Sequence, residues 1–392
     1  MAIVINGSGT ISGLSVGGLP NGTVDNDTIA SGVASSKLTG ALPAISGASL
    51  TSLPSQKINP NLIINGAMQV SQRSSGTVAQ ANSSNEGYAT LDRFALQYGN
   101  NAGGTITTSQ STTSPDGFGT SYKLDVTSAD TSISGNEIVY AQQVIESQNM
   151  ANSGWDYTNS SSKITLSFWV RNSKTGTYCV AFDNYDGSKM YTAEYTVSTA
   201  DTWEKKTVTI PGNSNLVFNF DEGAGLGVYF MLANASGRYG SADSWVSPPA
   251  FGTSNQVNFL DSTSNVMYLT GVKLEVGDTA TDFQHRTYGD ELTLCRRYFQ
   301  AHTITQHVPL CVDWEGGSNS GNMRGSFQFD VPMRASPTQG FLGSCTWYNQ
   351  SNNSGAPATM IFTPNLFIAY NDEGLNILGD SSDDAITFSA EL

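Results

Sequence analysis

KITLSFWVRN, residues 163–172, is the stretch from which the fold can be read. Ile164, Leu166, Phe168 and Val170 fall on one side of an extended chain, and Thr165, Ser167, Trp169 and Arg171 on the other, because successive side chains of a strand point to opposite faces. The alternation predicts a half-buried strand whose aliphatic side faces a core. Comparable runs surround it: SYKLDVTS (121–128), EIVYAQQVIE (137–146), TYCVAFDN (177–184), KMYTAEYTV (189–197), WEKKTVTIPG (203–212), LVFNFDE (216–222), LGVYFMLA (226–233) and NVMYLTGVKLEVG (265–277). Turn residues separate them and no long helical period interrupts them. An antiparallel jelly-roll β-sandwich over residues 59–284 is therefore expected, in a chain that is all-β.

Composition points the same way and narrows the partners. Only 13 % of the residues are charged, about half the roughly 25 % of ordinary soluble domains, and Gly, Ser, Thr and Asn suit strands and turns. With 392 residues the chain exceeds what one core serves, so more than one domain is expected. A net charge of −15 with 18 basic residues provides no positive field for phosphates, which argues against nucleic acid and anionic membrane surfaces. No run approaches the roughly 20 apolar residues of a membrane span, so membrane insertion is not expected, and MAIVING lacks the basic start of a secretory signal. Cys179, Cys295, Cys311 and Cys345 have neither CxxC spacing nor scaffold density, so free thiols and assembly in a reducing cytoplasm are expected.

Residues 1–58 stand apart. Their only charges are Asp25, Asp27, Lys37 and Lys57, and the first aromatic residue of the chain is Tyr88. A segment so poor in large apolar groups does not build a core alone. It suits either a linker or an attachment shaft that shares its small apolar residues, as in ISGLSVGGLP and TGALPAISG, with other copies of itself. At the other end of the sandwich, residues 285–300 form a joint. Asp290 to Phe299 predicts one helix, with Leu292, Cys295 and Phe299 at i, i+3, i+7, acids Asp290 and Glu291 at its front and Arg296 and Arg297 at its end, an order that complements the helix dipole. Three such helices would pack around a trimer axis, the two arginines pairing acids of neighbouring chains. Residues 301–392 return to strands and turns and are expected to form a small β tip domain.

The chain resembles bacteriophage tail-fibre and related receptor-binding proteins. The resemblance lies in the glycine-rich start MAIVINGSGTISGLSVGGLP, the passage from Glu275 to Glu291 (EVGDTATDFQHRTYGDE), Cys295 to Tyr298, the FDVPMRASPT of 329–338 and the closing SAEL. NLIINGAMQV (61–70), WEKKTVTIPG and GVKLEVGDTATDF (271–283) also resemble the first and later strands of jelly-roll carbohydrate-binding modules. The resemblance implies a virion fibre, homotrimeric, attached to other virion proteins through residues 1–58 and recognising host surface glycans. Other virion structural roles (head fibre, decoration protein, adaptor) remain open, as does a polysaccharide depolymerase. Such modules often carry Phe-Glu after the Asn-Gly of the first strand, the carboxylate helping to hold a structural calcium. Here Met68 and Gln69 follow instead, and a neutral amide is a poor ligand for that hard cation.

Catalytic signals are weak. The GxSxG of Gly13 to Gly17 lacks the strand–turn–helix context of a nucleophile elbow. His302 and His307 lie an odd number of residues apart, so on one strand they face opposite sides and do not converge with Cys311 on a metal. Carboxylate pairs such as Asp183/Asp186 or Asp221/Glu222 are easily found among 33 acids, and sequence does not place them the roughly 5–9.5 Å apart that glycoside cleavage requires. No catalytic residue, metal ligand or cofactor is expected. Sugar binding asks for aromatic faces beside amides and carboxylates. In turn-rich stretches the candidates are Trp155, Tyr157, Asp183, Tyr185, Tyr239, Trp245, Trp347 and Tyr348.

Overall fold

The structure is a computed structural model. It describes residues 61–303 except Ser75, together with 328–342, 361–367 and 385–392, and the backbone of short strands elsewhere. The chain divides into two compact units, Met1–Ile58 and Asn59–Leu392. In the first, β1 (Val4–Ile5) pairs antiparallel with β2 (Ile11–Ser12). The GxSxG residues 13–17 lie outside the described residues, as do His307 and Cys311.

The second unit is built on a sandwich. Its strands are β3 (Val78–Gln80), β4 (Ala95–Gly99), β5 (Thr105–Ser111), β6 (Ser121–Ser128), β7 (Ile138–Glu146), β8 (Lys163–Asn172), β9 (Gly176–Asn184), β10 (Lys189–Val197), β11 (Glu204–Pro211), β12 (Ala224–Asn234), β13 (Trp245–Val246) and β14 (Val266–Val276). They form two six-stranded antiparallel sheets, in the orders β13-β10-β9-β12-β7-β4 and β11-β8-β14-β6-β5-β3. This is the expected all-β jelly-roll sandwich. Ile164, Leu166, Phe168 and Val170 of β8 are all 0 % exposed, each contributing roughly 1.5–3 kcal/mol by leaving water. Phe168 meets Tyr195 and Phe230 of the facing sheet edge-on, ring centres 5.1 Å away in both cases.

Two expected strands are not strands. LVFNFDE alternates Leu216 and Phe218 (buried) with Val217 (exposed), yet it pairs with no ladder and lies as a loop before β12. NLIINGAMQV is a series of bends, because Asn65 and Met68 take positive φ (60° and 59°), outside the extended region that regular pairing needs. Gly66 lies so close to β14 that a Cβ there would stand 2.1 Å from the Val272 carbonyl oxygen. Asn61 holds the segment in place: its side chain donates to the Val272 carbonyl and accepts from the Leu274 amide (both 2.9 Å).

A short helix, α1 (Ser147–Ala151), follows β7, and α2 (Tyr288–Arg296) follows the sandwich. Thr287 caps α2: its hydroxyl accepts from the Asp290 amide and donates to the Asp290 carboxylate, worth about 1 kcal/mol. Phe299 opens the next strand, so the helix ends three residues before the expected point. The remaining strands are β15 (Phe299–Thr303), β16 (Val308–Pro309), β17 (Val312–Trp314), β18 (Met323–Gln328), β19 (Thr338–Leu342), β20 (Thr346–Asn349), β21 (Thr359–Phe362), β22 (Leu366–Asn371), β23 (Leu375–Leu378) and β24 (Ala385–Ser389). They form three small sheets, β15-β24-β19, β16-β23-β20 and β17-β18-β22-β21.

The joint expected to hold three chains together is closed within one. Arg297 makes a two-pronged pair with Glu146 (2.8 and 2.7 Å), Tyr298 donates to the same carboxylate (2.5 Å), and Arg296 pairs with Asp330 (2.6 Å). The acids expected on neighbouring chains are thus supplied by this chain. Cys295 and Phe299 are buried inside it (0 % and 5 % exposed) and Leu292 is half-buried, so Cys295 and Phe299 offer no free face for threefold packing. Beside this pair Arg93, 1 % exposed, is stacked on Tyr298 (3.5 Å to the ring centre) and paired with Glu391, which also takes Arg73 at 2.8 Å. Glu391→Ala would leave Arg73 and Arg93 buried without that partner. A loss of about 3–5 kcal/mol is expected in urea unfolding of the full chain, against about 1 kcal/mol or less for Arg296→Ala, whose pair is exposed.

Candidate functional site

The outer face of the sheet β13-β10-β9-β12-β7-β4 carries aromatic residues where an outer face is ordinarily polar. Strand parity sends Tyr140 and Gln142 of β7, Gly227, Tyr229 and Met231 of β12, and Cys179, Ala181 and Asp183 of β9 outward, opposite the Val139, Ala141, Val228, Phe230, Val180 and Phe182 of the core. Register aligns them in rows: Tyr229 lies between Gln142 and Ala181, and Gly227 between Val144 and Asp183.

Gly227 decides the arrangement. A Cβ there would stand 2.5–2.8 Å from the Cε1, Cζ and Oη atoms of Tyr229, so the tyrosine ring lies back along its own strand only because residue 227 has no side chain. Lying flat, Tyr229 reaches Asp183 on the next strand. Its hydroxyl donates to Asp183 Oδ2 at 3.0 Å and shares a 2.5 Å hydrogen bond with the hydroxyl of Tyr185. Tyr140 leans on it (ring centres 4.6 Å apart), and Phe251 stacks over it nearly parallel, at 6.1 Å and 8°. Phe251 is delivered by the 250–255 segment, which is tied to β10 by Thr192 donating to the Ala250 carbonyl and by Thr253 and Asn255 donating to Glu194. Arg238 lays its guanidinium on the Phe251 ring, 5.6 Å from its centre.

The result is an aromatic surface with Tyr229 buried at its floor, Tyr140 and Phe251 half-exposed, and Tyr185 41 % exposed at one end. Its polar groups are shifted by low polarity. Burial pushes the Asp183 carboxyl up, opposed by the Tyr229 hydrogen bond. Burial likewise raises the phenols of Tyr185, Tyr140 and Tyr229, with Asp183 adding to each. Chemically such a face suits a flat, hydroxyl-bearing ring: aromatic planes for its apolar side, and amide and carboxylate acceptors for its donors.

Of the sequence-derived candidates, Asp183 and Tyr185 are on this face. Tyr239, 39 % exposed, borders it through a bridge to Gly252, next to Phe251. Three others lie away from it, and of these Trp155 is corrected by its burial. Trp155 is 3 % exposed in the core and packs against Phe218, 6.3 Å between ring centres. Tyr157 meets the same Phe218 edge-on at 4.9 Å, so both close an end of the sandwich. Trp245 packs on Tyr191 at 5.4 Å and donates its indole N–H to the Pro211 carbonyl, 2.8 Å. Trp347 and Tyr348 are on β20, and their side chains lie outside the described residues. Tyr140, Tyr229, Phe251 and Gln142 were missed. Their one local signal is the glycine two residues before a tyrosine in LGVYF, which in a strand marks a close approach.

The remaining polar candidates are satisfied or scattered. His302 contacts Gln300 at 3.2 Å. Cys179 and Cys295 are buried free thiols, each raised by burial. Among the described residues no three His, Cys, Asp or Glu side chains gather as a metal set. The calcium implied by the resemblance does not fit the Ala67–Gln69 turn. The carbonyl oxygens of Met68 and Gln69 accept from the Gln110 amide (2.7 and 2.9 Å), and those of Ala67 and Met68 from the Thr120 hydroxyl.

The fold and this face define a jelly-roll sandwich with an aromatic outer sheet. No protein-family model and no curated protein matches the chain. Solved structures that match include the enzymatically active domain of bacteriophage CBA120 tailspike protein 4, at 13 % identity and TM-score 0.29, over 55 % of this chain and 21 % of that one. Another is a putative sugar binding protein from Bacteroides thetaiotaomicron, at 13 % identity and TM-score 0.30, over 56 % of this chain and 100 % of that one. A family 11 carbohydrate-binding module of a Clostridium thermocellum cellulosomal cellulase matches at 12 % identity and TM-score 0.26, over 53 % and 99 %. The match spans about a fifth of the tailspike domain, and at such identities and TM-scores no function transfers from these proteins.

Two outcomes follow from the face itself. Gly227→Ala forces the Tyr229 ring off Asp183 and is expected to cost about 1–3 kcal/mol by overpacking, read as a lowered thermal midpoint. Asp183→Asn is expected to stabilise the protein at neutral pH. A carboxyl whose folded-state pKa is raised destabilises the fold once ionised, and the cost disappears as pH falls and both states hold the proton. The gain in midpoint over wild type therefore shrinks as pH is lowered through the carboxylate range.

Proposed function

We propose that this chain is a non-enzymatic glycan-binding protein, a fibre subunit of a bacteriophage virion that recognises carbohydrate on the host surface. The observation that carries the binding reading is the Tyr140–Tyr229–Phe251 surface with Asp183 and Tyr185 at its edge. Aromatic planes of this kind stack on the apolar side of a pyranose, and the adjoining acceptors meet its hydroxyls. The fibre reading rests on the sequence: the glycine-rich first 58 residues, the Glu275–Glu291 passage and the FDVPMRASPT phrase. In that reading residues 1–58 attach to other virion proteins, the chain is a homotrimer, and the sandwich is carried outward.

A glycan array probed with the full chain tests the binding reading. Wild type is expected to retain a defined set of glycans, and Tyr140→Ala to weaken the interaction about tenfold or more, the equivalent of roughly 1.4 kcal/mol. An array with no signal, or one unchanged in Tyr140→Ala, removes this face as the site. Mass measurement in solution addresses assembly separately: three chains are expected, and a stable monomer at micromolar concentration ends the trimer reading while leaving glycan binding intact. Release of reducing ends from a bound polysaccharide would replace the binding protein by a depolymerase.

A further inference from the structure

The centre of the aromatic face is rich in acceptors and poor in positive charge. Asp183 accepts one hydrogen bond, from Tyr229, and no ion pair among the described residues includes it. Nothing cationic offsets its burial. Glu86, exposed and likewise without an ion-pair partner among the described residues, adds its charge to that of Asp183 at the Tyr140 phenol. Gln142, directly across from Tyr229 in the register and only 5 % exposed, has a side-chain carbonyl oxygen that no donor meets. A cation stands at the margin: Arg238, whose guanidinium lies over Phe251, 5.6 Å from the ring centre, and does not act on Asp183.

Two carboxylates, an unmet amide oxygen and exposed tyrosine faces make a consistent demand. A sulfated, phosphorylated or uronic sugar would set like charge against Asp183 and Glu86. A neutral hydroxyl supplies one hydrogen and no charge. An ammonium supplies three hydrogens and a positive charge, pairs with a carboxylate through a charge-assisted hydrogen bond, and is attracted to the faces of tyrosine rings. The geometry points to a ligand that carries a free amino group: an amino-sugar oligosaccharide whose ammonium sits against Tyr140 and Tyr185, within the field of Asp183 and Glu86. This assignment rests on the carbohydrate-binding reading of the same face and specifies its ligand class.

Calorimetric titration of the full chain with an oligomer of glucosamine, its fully N-acetylated counterpart and an oligogalacturonate tests it. The free amine is expected to bind about tenfold or more tighter than the N-acetylated oligomer, as a desolvated cation–π contact and a charged hydrogen bond together allow, with the uronate not bound. Asp183→Asn is expected to remove most of that preference. Glu86→Gln, at an exposed position that leaves packing untouched, is expected to reduce it in part. Raising salt from roughly 0.05 to 0.5 M should narrow the gap. Equal binding of the acetylated oligomer, or a preference unchanged in both variants, overturns the amine assignment. If a neutral glycan binds instead and Tyr140→Ala abolishes it, the amine assignment falls while the glycan reading stands; if no glycan binds at all, both fall.

Discussion

The arrangement of the second unit depends on how one buried guanidinium is neutralised. Arg93, inside the sandwich at the end of β7, donates to the Val144 carbonyl, stacks on Tyr298 and pairs with Glu391. A charge this deep is tolerated only with its partner in place. That partner comes from the last residues of the chain, and Tyr298 from the end of α2, so neutralising Arg93 holds α2 and the C-terminal strand to the sandwich. Glu146 repeats the arrangement: burial would raise its carboxyl, but hydrogen bonds from Arg297, Tyr298 and Gln148 outweigh burial and hold it low. Residues that invite comparison with a catalytic cluster are, in place, the fasteners of a joint.

On the outer sheet the same physics is used in the opposite sense. Asp183 is partly desolvated with no cation beside it, and Tyr229 is kept flat by a glycine that sacrifices strand propensity. Each feature costs stability locally, whereas the joint contributes it. Glu391 and Glu146 are each met by cationic partners, whereas Asp183 is met by a single phenol.

The sandwich was legible because its strands turn one apolar face to the core, even where, as at Thr165 and Ser167, the other face is covered as well. In KITLSFWVRN each inward residue is aliphatic or aromatic, and a ladder neighbour on each side enforces the period of two. LVFNFDE shows the same alternation without a ladder, since packing on the sandwich end alone can bury Leu216 and Phe218. NLIINGAMQV was illegible as bends because its turns depend on Asn61 and Gly66 meeting β14 some two hundred residues later. The site was legible in part. Asp183 and Tyr185 sit at a strand end, where turn residues announce exposure, while Tyr140 and Tyr229 sit inside apolar runs that do not say which face is covered. Trp155 misled for the complementary reason: its turn-rich context suggests solvent, and Phe218, far along the chain, buries it.

Asn61, at the start of the sandwich, accepts through its carbonyl from Arg286, and the Asn65 amide donates to Glu291 of α2. The chain therefore enters and leaves the sandwich at one pole, clasped there by its own side chains. Tension applied between the segment before Asn61 and the strands after Phe299 runs through this clasp and not along the sheets. A pull on the C-terminal strands would load a few hydrogen bonds and ion pairs at the pole, those of Arg297 and Tyr298 on Glu146 among them, and would reach the aromatic sheet only at the end of β7.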